Sequence, residues 1–197
     1  MNICVYCSSS DAIAPVYFDA ARSLGEVLAQ RGDTLIYGGA NVGLMGALAQ
    51  TVRKGGGRVV GVMPGFLTEL RITFDAADEL VYTDDMRERK AVMEERADAF
   101  VILPGGFGTL EELSEILVLR QLNTHTKPIV LLNTKGYYDP LVALFEHFYS
   151  QRFAKPWRQL YHVADSVESV FDYLDAYQPV AAPYKLLTAD DAPESSP

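Results

Sequence analysis

Ala99-Phe100-Val101-Ile102-Leu103-Pro104-Gly105-Gly106-Phe107-Gly108-Thr109-Leu110-Glu111-Glu112 passes from an unbroken apolar run, through glycines, into an acidic helical pattern. A run that is apolar at every position suits a strand covered on both faces, as in a parallel sheet. The pattern predicts a buried strand over residues 99–103, a tight turn, and a helix to about Gln121. Gly105, Gly106 and Gly108 let the backbone turn closely and expose its N–H groups, and the helix start adds its positive end. Together they make a cradle for an anion such as a phosphate. Thr109 is expected to cap the helix and to bond a phosphate oxygen. A plainer alternative is a glycine turn with Thr109 as cap and Glu112 as its capping-box partner. Three glycines, a threonine and two acids in so short a space favour the ligand. No Gly-Lys-Ser/Thr follows, so this is not a Walker loop, and it is not the G-x-G-x-x-G fingerprint either.

Outward from this segment, strands and helices alternate. Strands are predicted over residues 2–7, 34–37, 58–63, 79–83, 128–132 and 161–163. Helices are predicted over residues 16–31, 44–54, about 85–97, 138–151 and 166–176, with Asp84 or Asp85 capping the third. Residues 65–78 read as irregular. This alternation predicts an α/β fold: a Rossmann-like, doubly wound parallel sheet with helices on both faces, in a single domain over residues 1–178. Residues 179–197, rich in Pro, Ala, Asp and Ser, are expected to form a mobile C-terminal tail with a docked start. In such sheets ligands sit beyond the carboxyl ends of the strands. Three loops lie there: residues 8–11, 38–43 and 105–109.

Two further segments carry chemistry. In Tyr37-Gly38-Gly39-Ala40-Asn41-Val42-Gly43-Leu44-Met45-Gly46, glycines again join a strand to a helix; close packing and ligand contact both remain open. In Met86-Arg87-Glu88-Arg89-Lys90, three cations share one turn. A solvated face is the default for such a run. Arg89 and Lys90, however, point about 100° apart on a helix, so one can face a site while the other pairs nearby. Behind the cradle stand Glu111, Glu112 and Glu115; by spacing, Glu112 and Glu115 share a face and Glu111 points elsewhere.

The 197 residues carry a formal charge of -9. An acidic chain repels nucleic-acid backbones and anionic membranes, so neither is an expected partner. Its two cysteines, Cys4 and Cys7, form a C-x-x-C inside a predicted strand, where residues three apart face opposite ways. They are expected to be reduced and buried rather than redox-active or metal-binding. The histidines are scattered without an i, i+4 pair, so no metal site is expected. The chain starts on a strand, without the pattern of a signal peptide, and no run approaches 18 apolar residues; a cytoplasmic location is expected.

Pro104-Gly105-Gly106-Phe107-Gly108-Thr109-Leu110-Glu111-Glu112 resembles the P-G-G-x-G-T-x-x-E signature of the LOG ("lonely guy") family of cytokinin riboside 5′-monophosphate phosphoribohydrolases. The resemblance extends to about Tyr177. It takes in the turn at Cys7 to Ser10, the loop from Tyr37 to Gly46, and Met86 to Lys90, which is similar to the family's M-H-x-R-K. It implies a homodimer with the active site completed near the subunit interface, and no organic cofactor. The implied reaction releases free base and ribose 5-phosphate from a nucleoside 5′-monophosphate, a cytokinin nucleotide or AMP. Members have also been labelled lysine decarboxylases; the only pyridoxal-type feature here is one lysine, Lys90, and that label is set aside.

By position, Arg89 matches the family's catalytic arginine and Glu112 the final glutamate of the signature. Lys90, Gly105, Gly106, Gly108, Thr109 and Glu111 match nucleotide-contacting positions, and Met86, Gly38, Gly39 and Ser9 join them as implied substrate contacts. Arg87 stands where many members have His, Ala40 where many have Gly, and Leu117 and Val118 where plant members carry Thr. These departures bear on base specificity more than on the phosphoribose chemistry. The implied mechanism has Glu112 stabilising an oxocarbenium-like sugar or aligning water, Glu111 holding the ribose hydroxyls, and Arg89 clamping ribose or phosphate. The rival is a carrier or sensor of the same fold that binds a nucleotide or cofactor without cleaving it.

Overall fold

Seven strands lie in one sheet in the order β4-β3-β2-β1-β5-β6-β7, and every neighbouring pair is parallel. The computed structural model describes residues 1–183. Its strands are β1 (Asn2–Tyr6), β2 (Thr34–Tyr37), β3 (Arg58–Pro64), β4 (Glu79–Thr83), β5 (Ala99–Ile102), β6 (Ile129–Leu132) and β7 (His162–Ala164). The helices are α1 (Pro15–Arg31), α2 (Gly43–Lys54), α3 (Met86–Arg96), α4 (Phe107–Gln121), α5 (Asp139–Ser150) and α6 (Val167–Ala176). The doubly wound fold predicted from the alternation is the one observed. Residues 184–197, most of the expected tail, lie outside the described residues. Just before them, the N–H of Ala182 donates to Asn123 Oδ1 at 2.6 Å.

Strand alternation sorts the core into two layers. Ile3, Val5 and Cys7 pack with Leu24, Leu28, Leu44, Leu48, Val170 and Phe171, under α1, α2 and α6. Cys4 and Tyr6 face the other way, with Met93, Phe100, Leu113 and Ile116, under α3 and α4. Both cysteines are therefore buried, on opposite faces, and free. Helix ends follow local chemistry. Pro15 opens α1, and Gly32, with φ of 70°, closes it. Asp85, rather than Asp84, caps α3, its Oδ1 accepting from the N–H groups of Arg87 and Glu88 at 2.7 and 2.9 Å.

Residues 65–78, expected to be irregular, contain a 3-10 turn, Gly65–Leu70, and then return to the second glycine loop. There Asn41 N–H donates to Ile72 O at 2.6 Å and Phe74 N–H to Gly39 O at 2.9 Å. At the other end of the sheet, α5 has no fully buried residue. It exposes Leu144 and Phe148, as α4 exposes Val118 and, at its C-cap, Leu122.

The chain winds outward from β1 through β2, β3 and β4, then returns to the other side of β1 as β5. The winding thus reverses between β1 and β5. A crevice opens there beyond the carboxyl ends of the strands, the place where doubly wound sheets take their ligands. Across it Ser8 N–H donates to Pro104 O at 3.2 Å, just beyond the bond from Leu103 N–H to Tyr6 O at 3.0 Å.

Candidate active site

The crevice holds a cleft of about 370 Å³ lined by Tyr6, Cys7, residues 8–10, Gly38, Met45, Arg89, residues 106–109 and Glu112. Each wall comes from a different strand end: residues 8–10 follow β1, Gly38 follows β2, and residues 106–109 follow β5.

The loop after β5 enters α4 earlier than the sequence suggests. Gly106, not Thr109, is the N-cap residue, and no side chain caps the helix. Thr109 is buried within the first turn. The cause is local: Gly106, with φ of -92° and ψ of -150°, leads straight into the helix. The capping box considered from sequence does not form, and the first-turn N–H groups stay open to the cleft. Gly105 is needed for a related reason, since a Cβ there would collide with Thr109 Oγ1. Beside Gly106 and Gly108 an added Cβ would meet nothing within 4 Å; their faces are open space. Phe107, 93% exposed, stands on the rim.

Arg89 and Glu112 close the floor. Arg89 Nη1 donates to Glu112 Oε1 at 2.8 Å, and Arg89 Nε to Val62 O at 3.0 Å. Both residues are buried, at 7% and 8% exposure. A Cβ on Gly38 would overlap Arg89 Nη2; the glycine makes room for the guanidinium. Burial pushes the Glu112 carboxyl above its ordinary value, while Arg89 pulls against the shift. The carboxylate is thus poised to take a proton more readily than a surface glutamate.

Lys90, one residue on, behaves differently. Its Nζ contacts Glu111, and Glu115 Oε2 at 2.6 Å. The grouping inferred from spacing is therefore corrected: the i, i+4 pair Glu111 and Glu115 share Lys90, and Glu112 turns away to Arg89. Burial alone would lower the Lys90 pKa, but the hydrogen bonds to the two carboxylates outweigh it and raise it. An amine held protonated in this way is a poor Schiff-base former.

Of the residues singled out from sequence, Ser9, Gly38, Arg89, Gly106, Gly108, Thr109 and Glu112 line the cleft. Lys90 and Glu111 sit just behind it, Met86 is exposed at the start of α3, and Gly39 packs on Met63 with φ of +79°. Leu117 and Val118 do not reach the cleft; they line a separate apolar one between α4 and α5. Sequence reasoning missed Tyr6 and Met45. Their signal was position alone, at the carboxyl end of β1 and on the first turn after a glycine loop. Gly43 resolves the packing question: a Cβ there would strike the backbone of Ser9.

A parallel sheet with a polar cleft at its switch point defines a doubly wound, Rossmann-like α/β protein. The family model described as "Possible lysine decarboxylase" matches residues 45–174. A probable cytokinin riboside 5′-monophosphate phosphoribohydrolase of Oryza sativa subsp. japonica is 45% identical over 177 residues, 89% of this chain and 79% of that one. A cytokinin riboside 5′-monophosphate phosphoribohydrolase of Arabidopsis thaliana is 41% identical over 180 residues, 91% of this chain and 79% of the relative. The chain belongs to the LOG family. Among solved structures, a molybdenum cofactor carrier protein of Chlamydomonas reinhardtii superimposes with a TM-score of 0.68 at 24% identity, covering 89% of this chain and 98% of that one. That likeness concerns the fold alone.

Proposed function

We propose that this protein hydrolyses the N-glycosidic bond of a nucleoside 5′-monophosphate, a cytokinin riboside monophosphate or AMP, to free base and ribose 5-phosphate. The observation that carries the reading is the buried Arg89–Glu112 pair on the floor of a cleft whose opposite lip offers the open N–H groups of residues 106–108. The 5′-phosphate rests on those groups and on the start of α4. Its binding energy holds C1′ over Glu112. Water then adds to C1′ as the C1′–N bond breaks; the base leaves with the bonding electrons and takes up a proton from solvent. Glu112 stabilises the positive charge that develops on the sugar and receives the proton of the attacking water. Arg89 fixes the carboxylate and faces the ribose or phosphate. Glu111, tethered by Lys90 just behind the cleft, serves the ribose hydroxyls.

A carrier needs the cradle but not a buried carboxylate beside the sugar, so the pair favours hydrolysis over storage. The protonated, doubly paired Lys90 argues against pyridoxal chemistry. Incubation with AMP and with isopentenyladenosine monophosphate, with chromatographic detection of free adenine and isopentenyladenine, tests the proposal. Release of either base supports it, the faster one identifies the preferred base, and bound but uncleaved nucleotide assigns the carrier role.

The assembly we infer is a homodimer, through the apolar faces of α4 and α5 that carry Val118, Leu122, Leu144 and Phe148. In it the cleft lined by Leu117 and Val118 lies at the subunit boundary. Light scattering on the purified protein reads the mass directly. The cytoplasm suits two free buried thiols. Among the described residues no helix is long and apolar enough to cross a membrane.

A further inference from the structure

A backbone loop binds an anion only if its N–H groups point at the ligand, and each planar peptide then points its carbonyl the other way. Those carbonyls need donors of their own, or the peptides are free to turn over. In the loop after β5 four successive carbonyls are held. Leu103 O accepts from Tyr138 Oη at 2.6 Å, and Gly105 O accepts from Tyr137 Oη at 2.7 Å. Pro104 O accepts from Ser8 N–H at 3.2 Å, and Gly106 O from Leu110 N–H at 3.0 Å. Among the described residues, by contrast, nothing accepts from the N–H groups of Gly105, Gly106, Phe107 or Gly108.

The two phenols come from one turn after β6. Gly136, with φ of +71°, places Tyr137 and Tyr138 side by side. Asn133 braces the turn, its Oδ1 accepting from Tyr138 N–H at 2.7 Å and its Nδ2 donating to Asp139 Oδ1 at 2.8 Å. Tyr138 is buried in the core beneath the strand end. Tyr137 is 40% exposed and set edge-on to the rings of Tyr17 and Tyr138, at 5.7 and 5.1 Å.

We propose that Tyr137 is a positioning residue of the phosphate cradle: by holding the Gly105 carbonyl it fixes the direction of the Gly106 N–H. Those two groups belong to one peptide. Flanked by two glycines, that peptide meets little steric resistance to rotation. Without the phenol the carbonyl oxygen can swing toward the anion, which removes a donor and adds a repulsive dipole. Tyr138 holds the base of the loop in the same way, one peptide pair earlier, where Pro104 carries no N–H to aim. The proposal rests on the reading that this loop holds the 5′-phosphate.

Tyr137→Phe keeps the ring and its packing and deletes one hydroxyl at a half-exposed site, so the melting temperature is expected to stay within a degree or two of wild type. The KM for AMP and the inhibition constant of ribose 5-phosphate should rise about tenfold, the scale of one lost hydrogen bond to an oriented donor. The inhibition constant of free adenine should stay unchanged, and kcat should fall less than KM rises. An unchanged ribose 5-phosphate constant in Tyr137→Phe, or equal weakening of ribose 5-phosphate and adenine, overturns the role of Tyr137. If wild type itself binds ribose 5-phosphate no better than ribose, the phosphate reading of the loop is what fails, and this proposal falls with it.

Discussion

Arg89 and Lys90 are neighbours on α3, and Glu112 and Glu111 are neighbours on α4, yet the two ion pairs they form belong to different regimes. Arg89–Glu112 is sealed on the cleft floor, with side-chain exposures of 9% and 10%. Lys90, whose own side chain is 11% exposed, reaches out to Glu111 and Glu115, whose side chains are 57% and 43% exposed. A buried pair is held by its own desolvation: removing one partner strands the other and costs about 3–5 kcal/mol. A pair whose carboxylates stay in water whether or not it forms is worth less, toward about 1 kcal/mol. The same charges, one residue apart, thus serve chemistry in one place and tethering in the other.

The comparison breaks most visibly at Arg89. Arg89→Ala should lower kcat/KM for nucleotide cleavage by at least ~100-fold and destabilise the fold by about 3–5 kcal/mol, seen together in steady-state assays and chemical denaturation. Glu112→Gln keeps the shape and should lose ~100-fold or more in kcat with a smaller loss of stability; full turnover in that variant would remove Glu112 from the chemistry. Next in size, Gly38→Ala pushes a methyl into the guanidinium and should cost about tenfold or more in kcat, detectable alongside an altered melting curve. Lys90→Ala, by contrast, should change stability by less than about 1 kcal/mol and raise KM only a few-fold, with the stability difference vanishing at high salt.

Acidity separates the pairs again. Because burial raises the Glu112 pKa above its ordinary 4.5, the acid limb of kcat/KM should sit above that value and disappear in Glu112→Gln. The linked stability has a definite sign. Between 4.5 and the raised value the folded state binds the proton more tightly than the unfolded chain, so this group's contribution to stability declines as pH rises through that window. Smallest of all, deletion of residues 184–197 should leave both cleavage and melting unchanged if the catalytic unit ends near residue 178.

Much of this molecule was legible from sequence because its signals are local. Apolar runs marked all seven strands to within a residue at each end, and glycine loops marked strand ends that face the cleft. What local pattern does not carry is direction. Thr109 looked like a cap because caps are common before acidic turns, but Gly106 enters the helix first and needs no side chain. Spacing grouped Glu112 with Glu115 and turned Glu111 elsewhere; the arrival of Lys90 from α3 joins Glu111 to Glu115 instead. Tyr6 and Met45 were marked by position alone, and Tyr137 by nothing local, since it matters through a carbonyl 32 residues away in the chain.

The parallel pairing of β1 with β5 has a last consequence, for how the chain acquires activity. Ile3 pairs with Ala99 and Tyr6 with Ile102, so the central contact of the sheet joins segments almost a hundred residues apart. Contacts of that separation form late and slowly, because the intervening loop must first be ordered. Every wall of the cleft hangs on that one closure: Ser9 from the first strand, Gly38 from the second, Arg89 from the third helix, Glu112 from the fourth. No partly folded species with only one half in place holds both charges. Base release during refolding is therefore an all-or-none clock for completion of the sheet, and it should lag behind the recovery of helical signal.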